Sequence, residues 1–310
     1  MSVGANIRRR RAELRMSQQE LADAMGYKTR STIAKIESGE NDVSQKKLQR
    51  FAQVLDTTVE ALISGYMTPD AGLVYQTSDK IRNRNVAVIL AGGKAGKNTQ
   101  SIPTQFINVK GKPILMYSVD AYQTHQSVDE IYIVCARGWE RIVEDCARQY
   151  GITKLRGVIP EGNSGVKSLK NAVDYLRRTH APDDVILIQE ATRPMVTAET
   201  ISRLLYACAQ NGSATICHAM NDYVQFHIND DKAEYVDRNA LVALQSPEAH
   251  TLSLLCELFD RAQQRKHMLT ESCCTMLLYH MGYDIHFIES RINNIKLIRD
   301  ADITAFQLLV

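Results

Sequence analysis

From residue 86 onward the chain alternates short, unbroken apolar runs with longer stretches of helical periodicity, a pattern few architectures accept. VAVILA (86–91) contains no polar residue and ends on two glycines, as a strand buried on both faces of a parallel sheet must read. EIYIVCA (130–136), DVILIQE (184–190), SATICHA (213–219) and YDIHFIE (283–289) repeat the pattern. YSVDAYQTH, WERIVEDCARQYG, VKSLKNAVDYLRRTH, TAETISRLLYACAQNG and TLSLLCELFDRAQQR carry helical spacing and separate most of these runs. The alternation predicts an α/β fold with a doubly wound, mostly parallel sheet that binds ligands at the carboxyl ends of its strands.

Residues 1–65 follow a different period. Ile7, Leu14, Leu21, Ala24 and Met25, then Ile33, Ile36, Leu48, Phe51, Leu55, Val59 and Leu62, recur at helical spacing between short turn signals. Ser17 and Glu20 form a capping box that starts a helix ending at Gly26; a second helix starts near Thr29–Arg30 and stops at Gly39, and Ser44 caps a third. Five short helices in a small bundle are expected. The stretch GYMTPDAGLVYQTSDKIRNRN has low hydrophobicity and no period, so 66–85 reads as a linker between domains 1–65 and 86–310.

Charge follows the same division. The first 55 residues hold 11 Lys/Arg and 6 Asp/Glu, a net of +5, which leaves 26 against 29, a net of −3, for the other 255. The basic excess therefore points to a polyanion partner for the N-terminal domain alone. The run Arg8–Arg11 also has a plainer reading as solvated surface charge. No apolar stretch approaches the roughly 18–20 residues that cross a bilayer, and the start MSVGANIRRRR lacks an apolar leader core, so neither a membrane partner nor export is expected. Seven cysteines, all after residue 130 and with no CxxC pair, read as reduced thiols of a cytoplasmic protein.

The N-terminal stretch MSQQELADAMGYKTRSTIAKIESGENDVSQKKLQRFAQVLDTTVEALI resembles the helix-turn-helix domains of Cro- and phage-repressor-type regulators, with one extra residue in the turn GYKTRST. The resemblance implies binding to double-stranded DNA. Gln18 would touch backbone phosphates, and Thr29, Arg30, Ser31, Thr32 and Lys35 would face the major groove. A small bundle that mediates protein contacts is the alternative.

The loop after 86–91 is AGGKAGKNTQSIPTQF. It fails as a P-loop, because Gly92 and Gly96 are separated by three residues and Asn98 stands where Ser or Thr is needed, and it fails the dinucleotide G-x-G-x-x-G on spacing. Small residues that let backbone N–H groups wrap a triphosphate, flanked by cations, leave a nucleotidyltransferase loop. VILAGGKAGKNTQSIPTQFINVKGKPIL, EATRPMV, VDRNALVALQSPEAH and LTESCCTMLLYHMGYDIHFIESRINNIKLIRDADI together resemble the cytidylyltransferases that activate polyol phosphates, namely methylerythritol-phosphate and ribitol-phosphate cytidylyltransferases. ILAGG is closer to the ribitol-phosphate branch, since the other usually reads AAG there.

That resemblance implies transfer of CMP from CTP to a polyol or sugar phosphate, with pyrophosphate released and Mg²⁺ bridging the phosphates. Ala91, Gly92, Gly93 and Lys94 would contact the nucleotide, and Lys97 would stabilise the transition state. Gly162, Asn163 and Ser168 would read cytosine and ribose. Glu190 would hold magnesium, while Arg238 and Lys296 would bind the substrate phosphate, Arg238 from across a homodimer joined by an exchanged arm at 221–239.

The departures are as informative. Thr104 replaces the lysine of P-K-Q-[FY], Gly165 replaces a basic residue, Asp222-Tyr223 replaces D-T, Ala95 replaces the loop's second glycine, and Glu190 replaces an aspartate. Three readings follow: an active transferase fused to a DNA-binding domain, a regulator whose transferase-like domain binds nucleotide or sugar phosphate without turnover, and a dimerisation scaffold.

Overall fold

The computed structural model describes residues 3–14, 16–27, 29–41, 43–55, 57, 59, 62, 83–93, 102–220, 224–229, 232–265, 273–290 and 294–310. The chain divides into two compact units, Met1–Ser78 and Asp79–Val310.

The first unit contains α1 (Val3–Glu13), α2 (Gln18–Met25), α3 (Arg30–Ser38) and α4 (Gln45–Val54). The expected capping box is present in full: Ser17 Oγ accepts from the Glu20 N–H, and Glu20 reaches back to the Ser17 N–H at 2.6 Å. Gly26 closes α2 at φ 77°, a left-handed position that suits a residue without Cβ. Ser44 precedes α4 as expected, but its side chain makes no capping bond. Ile7, Leu21, Met25, Ile33, Ile36, Phe51, Leu55 and Leu62 form one buried cluster. Two expected core positions are corrected. Ala22, not Ala24, faces the cluster, and Leu14 is exposed because it lies past the last residue of α1. Any helix around Val59 and Leu62 falls largely outside the described residues, as do residues 66–82 of the expected linker.

The second unit is built on seven strands: β1 (Asn85–Ala91), β4 (Glu130–Cys135), β5 (Leu155–Pro160), β6 (Val185–Glu190), β7 (Ser213–Ala219), β10 (Val242–Thr251) and β11 (Phe287–Glu289). They form one sheet of order β11-β7-β10-β6-β1-β4-β5. All pairings are parallel except those of β10, which runs antiparallel to both β6 and β7. Two short hairpins stand outside this sheet, one of β2 (Asn108–Val109) and β3 (Lys112–Pro113), the other of β8 (Gln225–Asn229) and β9 (Lys232–Val236).

Burial along β1 explains its unbroken apolar reading. Ala87, Ile89 and Ala91 enter one core with α5 (Ile114–Thr124), α6 (Glu140–Gln149) and α8 (Ala198–Asn211). Val86 and Val88 enter the other with α7 (Gly165–Leu176), α9 (Leu252–Gln264) and α10 (Cys274–His280). Successive strand residues point to opposite faces, and both faces here are covered. A third cluster joins Ile107, Val109 and Ile114 to Leu297 and Phe306, the latter on α11 (Asp300–Leu309), and so anchors the segment that carries Lys296. All seven cysteines are free thiols, four of them buried.

Neither β5 nor β10 is evident from the sequence pattern, and only the last three residues of 283–289 are strand. β5 is a sheet edge and most of it is incompletely buried, so its apolar signal is weak. β10 buries Gln245, Ser246, Glu248 and His250, so polar residues hide a central strand.

Candidate functional site

β1, β4, β5 and β6 are parallel neighbours, so the turns after them share one edge of the sheet. Ala91, Gly92 and Gly93 leave β1 there, with Gly93 at φ 106°. Two side chains hold this turn. The buried amide of Gln105 donates through Nε2 to the carbonyls of Ala91 (2.8 Å) and Gly92 (3.3 Å). From the opposite side, Glu161 accepts the Gly93 N–H at 2.7 Å through Oε2 and the Arg137 N–H at 3.2 Å through Oε1. A Cβ on Gly92 would stand 2.9 Å from the same Glu161 oxygen. The sequence pattern does not point to Glu161. Its role depends on a contact between residues 68 apart in sequence, and nothing local marks it.

Glu161 leads into the next element. Ser164 caps α7 by accepting the Lys167 N–H, and buried Ser168 accepts the Gly162 N–H at 3.0 Å. Gly162 lies so close to this helix that a Cβ would meet Lys167 backbone carbon at 2.6 Å and Ser168 nitrogen at 2.8 Å. Gly162 and Ser168 are therefore brought together beside the β1 turn, with Asn163 exposed between them. Thr104 is buried in the short 3-10 turn Thr104–Phe106, and Phe106 stacks on Trp139 at 4.4 Å and 9°.

The third component is ionic. Glu190 ends β6 and is the register partner of Leu90 on β1. Its Oε2 accepts from Arg193 Nε at 2.6 Å and its Oε1 pairs with the Lys296 ammonium. Burial pushes the Glu190 carboxyl upward, but Lys296 and Arg193 outweigh it and hold the group below its ordinary value. Asn294 ties this cluster to the sheet. It accepts the Met195 N–H through Oδ1 (2.9 Å), donates to the Ser246 carbonyl (3.1 Å) and receives Arg193 Nη1 on its own carbonyl (2.8 Å). Ser246 Oγ accepts the Glu190 N–H at 3.2 Å. Glu190 and Lys296, 106 residues apart, thus meet as partners. Arg193 lies within the motif EATRPMV, but only the folded chain shows that it pairs with Glu190.

Arg238 sits exposed on the turn Arg238–Ala240 after the β8–β9 hairpin, which occupies the expected arm. Val224, Phe226, Ile228 and Tyr235 are exposed on or beside that hairpin. Lys94, Lys97 and Asp222-Tyr223 lie outside the described residues.

In the helical unit, Thr29, Arg30, Ser31 and Lys35 are exposed at the start and along one side of α3, with Thr32 half-buried. Gln18 Nε2 donates to Glu37 Oε2 at 2.8 Å. The arginine run is only partly solvated. Arg11 makes a two-pronged pair with buried Glu37 at 2.6 and 3.1 Å, which raises its own pKa, and Arg10 donates to the Leu55 carbonyl.

The family model for 2-C-methyl-D-erythritol 4-phosphate cytidylyltransferase matches residues 85–310. The chain belongs to this family. A helix-turn-helix family model matches residues 7–62, so the domain resemblances seen in the sequence hold. A ribitol-5-phosphate cytidylyltransferase of Lacticaseibacillus paracasei is 29% identical over 71% of this chain and 95% of its own length. A 2-C-methyl-D-erythritol 4-phosphate cytidylyltransferase of Clostridium botulinum is 28% identical over the same shares. Among solved structures, the 4-diphosphocytidyl-2C-methyl-D-erythritol synthase of Anaerococcus prevotii shares the fold at a TM-score of 0.62 and 18% identity, covering 73% of this chain and 96% of its own. No helix among the described residues is long and apolar enough to cross a membrane.

Proposed function

We propose that residues 85–310 transfer CMP from CTP to a polyol phosphate, ribitol 5-phosphate being the first candidate, and that the N-terminal unit binds double-stranded DNA. The observation that carries the enzymatic reading is the Glu190–Arg193–Lys296 cluster, assembled at the strand edge beside the glycine turn. A phosphate oxygen of the acceptor attacks the α-phosphorus of CTP, the bond to the β-phosphate breaks, and pyrophosphate leaves with the electron pair. Such a reaction asks the protein for position and charge rather than for a covalent partner.

The Gly92 N–H, and the Gly93 N–H once it leaves Glu161, receive phosphate oxygens, with Lys94 and Lys97 offsetting their charge. Gly162, Asn163 and Ser168 hold the base and ribose. Lys296 passes from Glu190 to the acceptor phosphate, and Arg238 reaches the same phosphate from the second subunit of a homodimer. The donor set fits a divalent ion. Each Glu190 oxygen accepts one cationic donor and keeps a second lone pair, so the carboxylate can hold Mg²⁺ whose other ligands are triphosphate oxygens and water. When bound there, Mg²⁺ would neutralise phosphate charge.

On the DNA side, the exposed face of Thr29, Arg30, Ser31 and Lys35, with Thr32 at its margin, enters the major groove. Gln18 keeps a second Nε2–H beside its bond to Glu37 and donates it to a phosphate. On this reading the fusion makes the protein a regulator that carries its own enzyme.

The test is pyrophosphate release with CTP, Mg²⁺ and either ribitol 5-phosphate or methylerythritol 4-phosphate. Turnover with one of them supports the reading; saturable CTP binding without release from either rejects turnover and leaves a nucleotide sensor. Two observations favour that second reading. Thr104 offers no cation, and the Glu161 carboxylate already takes the Gly93 N–H. DNA binding is read by titration at several salt concentrations, where affinity must fall steeply as salt rises.

A further inference from the structure

Away from this site, the second core contains a polar group that the transfer reaction does not use. Glu248 and His250 are two apart on β10 and share one face of the sheet, opposite Ile188 and Ile186 of β6. Cys274 is the first residue of α10, packed on that face. All three side chains are buried, and one donor atom from each lies within 4.8 Å of the other two. Glu248 Oε2 is 3.3 Å from His250 Nε2 and accepts the Thr275 hydroxyl at 2.7 Å. His250 Nδ1 is buried without a hydrogen-bond partner.

A buried carboxyl opposite Ile188, beside an apolar core, stays ionised only with a positive neighbour. Among the described residues neither Lys nor Arg pairs with Glu248; its polar neighbours are His250 and the Thr275 hydroxyl. An imidazolium would compensate Glu248 but would leave no role for the thiol beside it. A divalent cation uses all three groups. Donors about 2.0–2.2 Å from a tetrahedral ion stand about 3.3–3.6 Å apart, and the Glu248–His250 spacing of 3.3 Å already matches that edge. Carboxylate, thiolate and a 2+ ion sum to zero charge, which suits an apolar surround.

We propose that Glu248, His250 and Cys274 form a three-ligand site for a divalent cation of the zinc class, with water completing its tetrahedron. Thiolate and imidazole donors select zinc over magnesium or calcium, and binding releases the Cys274 proton to solvent. The ion would tie the first turn of α10 to β10 two residues beyond Ser246, which holds the Glu190 N–H, and so brace the catalytic edge from behind.

The test uses the full chain purified without chelator. Metal analysis is expected to give about one zinc per chain. Replacement by Co²⁺ should produce a thiolate-to-cobalt band in the near ultraviolet and intense visible bands of four-coordinate cobalt. Cys274→Ser should abolish the thiolate band, whereas Cys256→Ser, on α9 and outside the site, should keep it. EDTA should lower the melting temperature of the wild-type chain and leave Cys274→Ser unmoved. Glu248→Gln, which preserves size, should weaken zinc retention while far-ultraviolet circular dichroism reports a folded chain. Substoichiometric zinc with no cobalt band overturns the site, and a thiolate band that survives in folded Cys274→Ser overturns it equally.

Discussion

Each unit of this protein places one glutamate between two donors, and the two arrangements differ in exposure. Glu37 accepts Arg11 and Gln18 with its side chain 3% exposed, inside a bundle of four described helices. Glu190 accepts Arg193 and Lys296 with its side chain 32% exposed, at the open edge of a sheet. The first carboxylate is committed: no water replaces a lost partner, so it clamps α1, α2 and α3 together. The second is open to solvent, and on the proposed reading it yields Lys296 to a phosphate and takes a metal ion. Burial, not residue type, separates a structural clamp from a proposed binding site here.

The sharpest way to break this contrast is to delete one partner on each side. Glu37→Ala leaves half-buried Arg11 without its carboxylate and Gln18 without its acceptor, at a cost of about 3 kcal/mol, a large share of the stability of so small a unit. The helical unit should lose its melting transition in calorimetry, while pyrophosphate release by the sheet unit persists. The double change Arg11→Met with Glu37→Leu removes both charges and should restore the transition. If Glu37→Ala melts as the wild type does, the clamp is not one.

Lys296→Ala makes the opposite demand. A pair this exposed contributes at most about 1 kcal/mol to folding, so the melting temperature should hardly move. Loss of a cation from the acceptor phosphate should lower kcat/KM by about 10²–10³-fold, as deletion of one preorganised charge does elsewhere. A variant that loses stability and activity together would place Lys296 with Glu37 rather than opposite it.

Gly162→Ala tests backbone rather than charge. Its Cβ would meet the backbone of Lys167 and Ser168 inside 3 Å, so α7 must shift and the Gly162–Ser168 bond must lengthen. Overpacking of this kind costs about 1–3 kcal/mol. Denaturant titration should show that loss, and CTP affinity should fall with it; unchanged stability would mean that the turn has room to move.

What the sequence reveals follows the same division between local and distant causes. Capping at Ser17 and Glu20, the stop at Gly26 and the two-faced burial of β1 depend on neighbours a few residues away, and each is readable. Gly92 and Gly93 are readable as a ligand loop, because a residue without a side chain lets backbone come close to a ligand, whereas the close approach of Gly162 to α7 shows only in the fold. β10 is not readable, because its buried Gln245, Ser246, Glu248 and His250 look like surface until their partners on Asn294, Thr275 and Glu190 are in place. Arg193 and Glu161 are hidden for the same reason. The motif assigns Gln18 to DNA, and its bond to Glu37, 19 residues away, is hidden in the same way.

The smallest effect is also the most direct measure of the balance at Glu190. Its carboxyl sits below the ordinary 4.5 because two cations overcome burial, which acts in the opposite direction and is the largest single influence. The carboxylate's ion pairs are therefore complete above the ordinary value and are lost as pH falls through the lower folded one. With Lys296 replaced by Ala, Arg193 alone opposes burial, and the Glu190 carboxyl must titrate at higher pH. A carboxyl-carbon NMR titration of the wild-type and Lys296→Ala chains should show that upward displacement, accompanied by an acid limb of CTP binding that moves in the same direction. An unmoved Glu190 would mean that Arg193 by itself sets its charge, and that Lys296 is held at the sheet edge by the packing of 294–297 rather than by the carboxylate it touches.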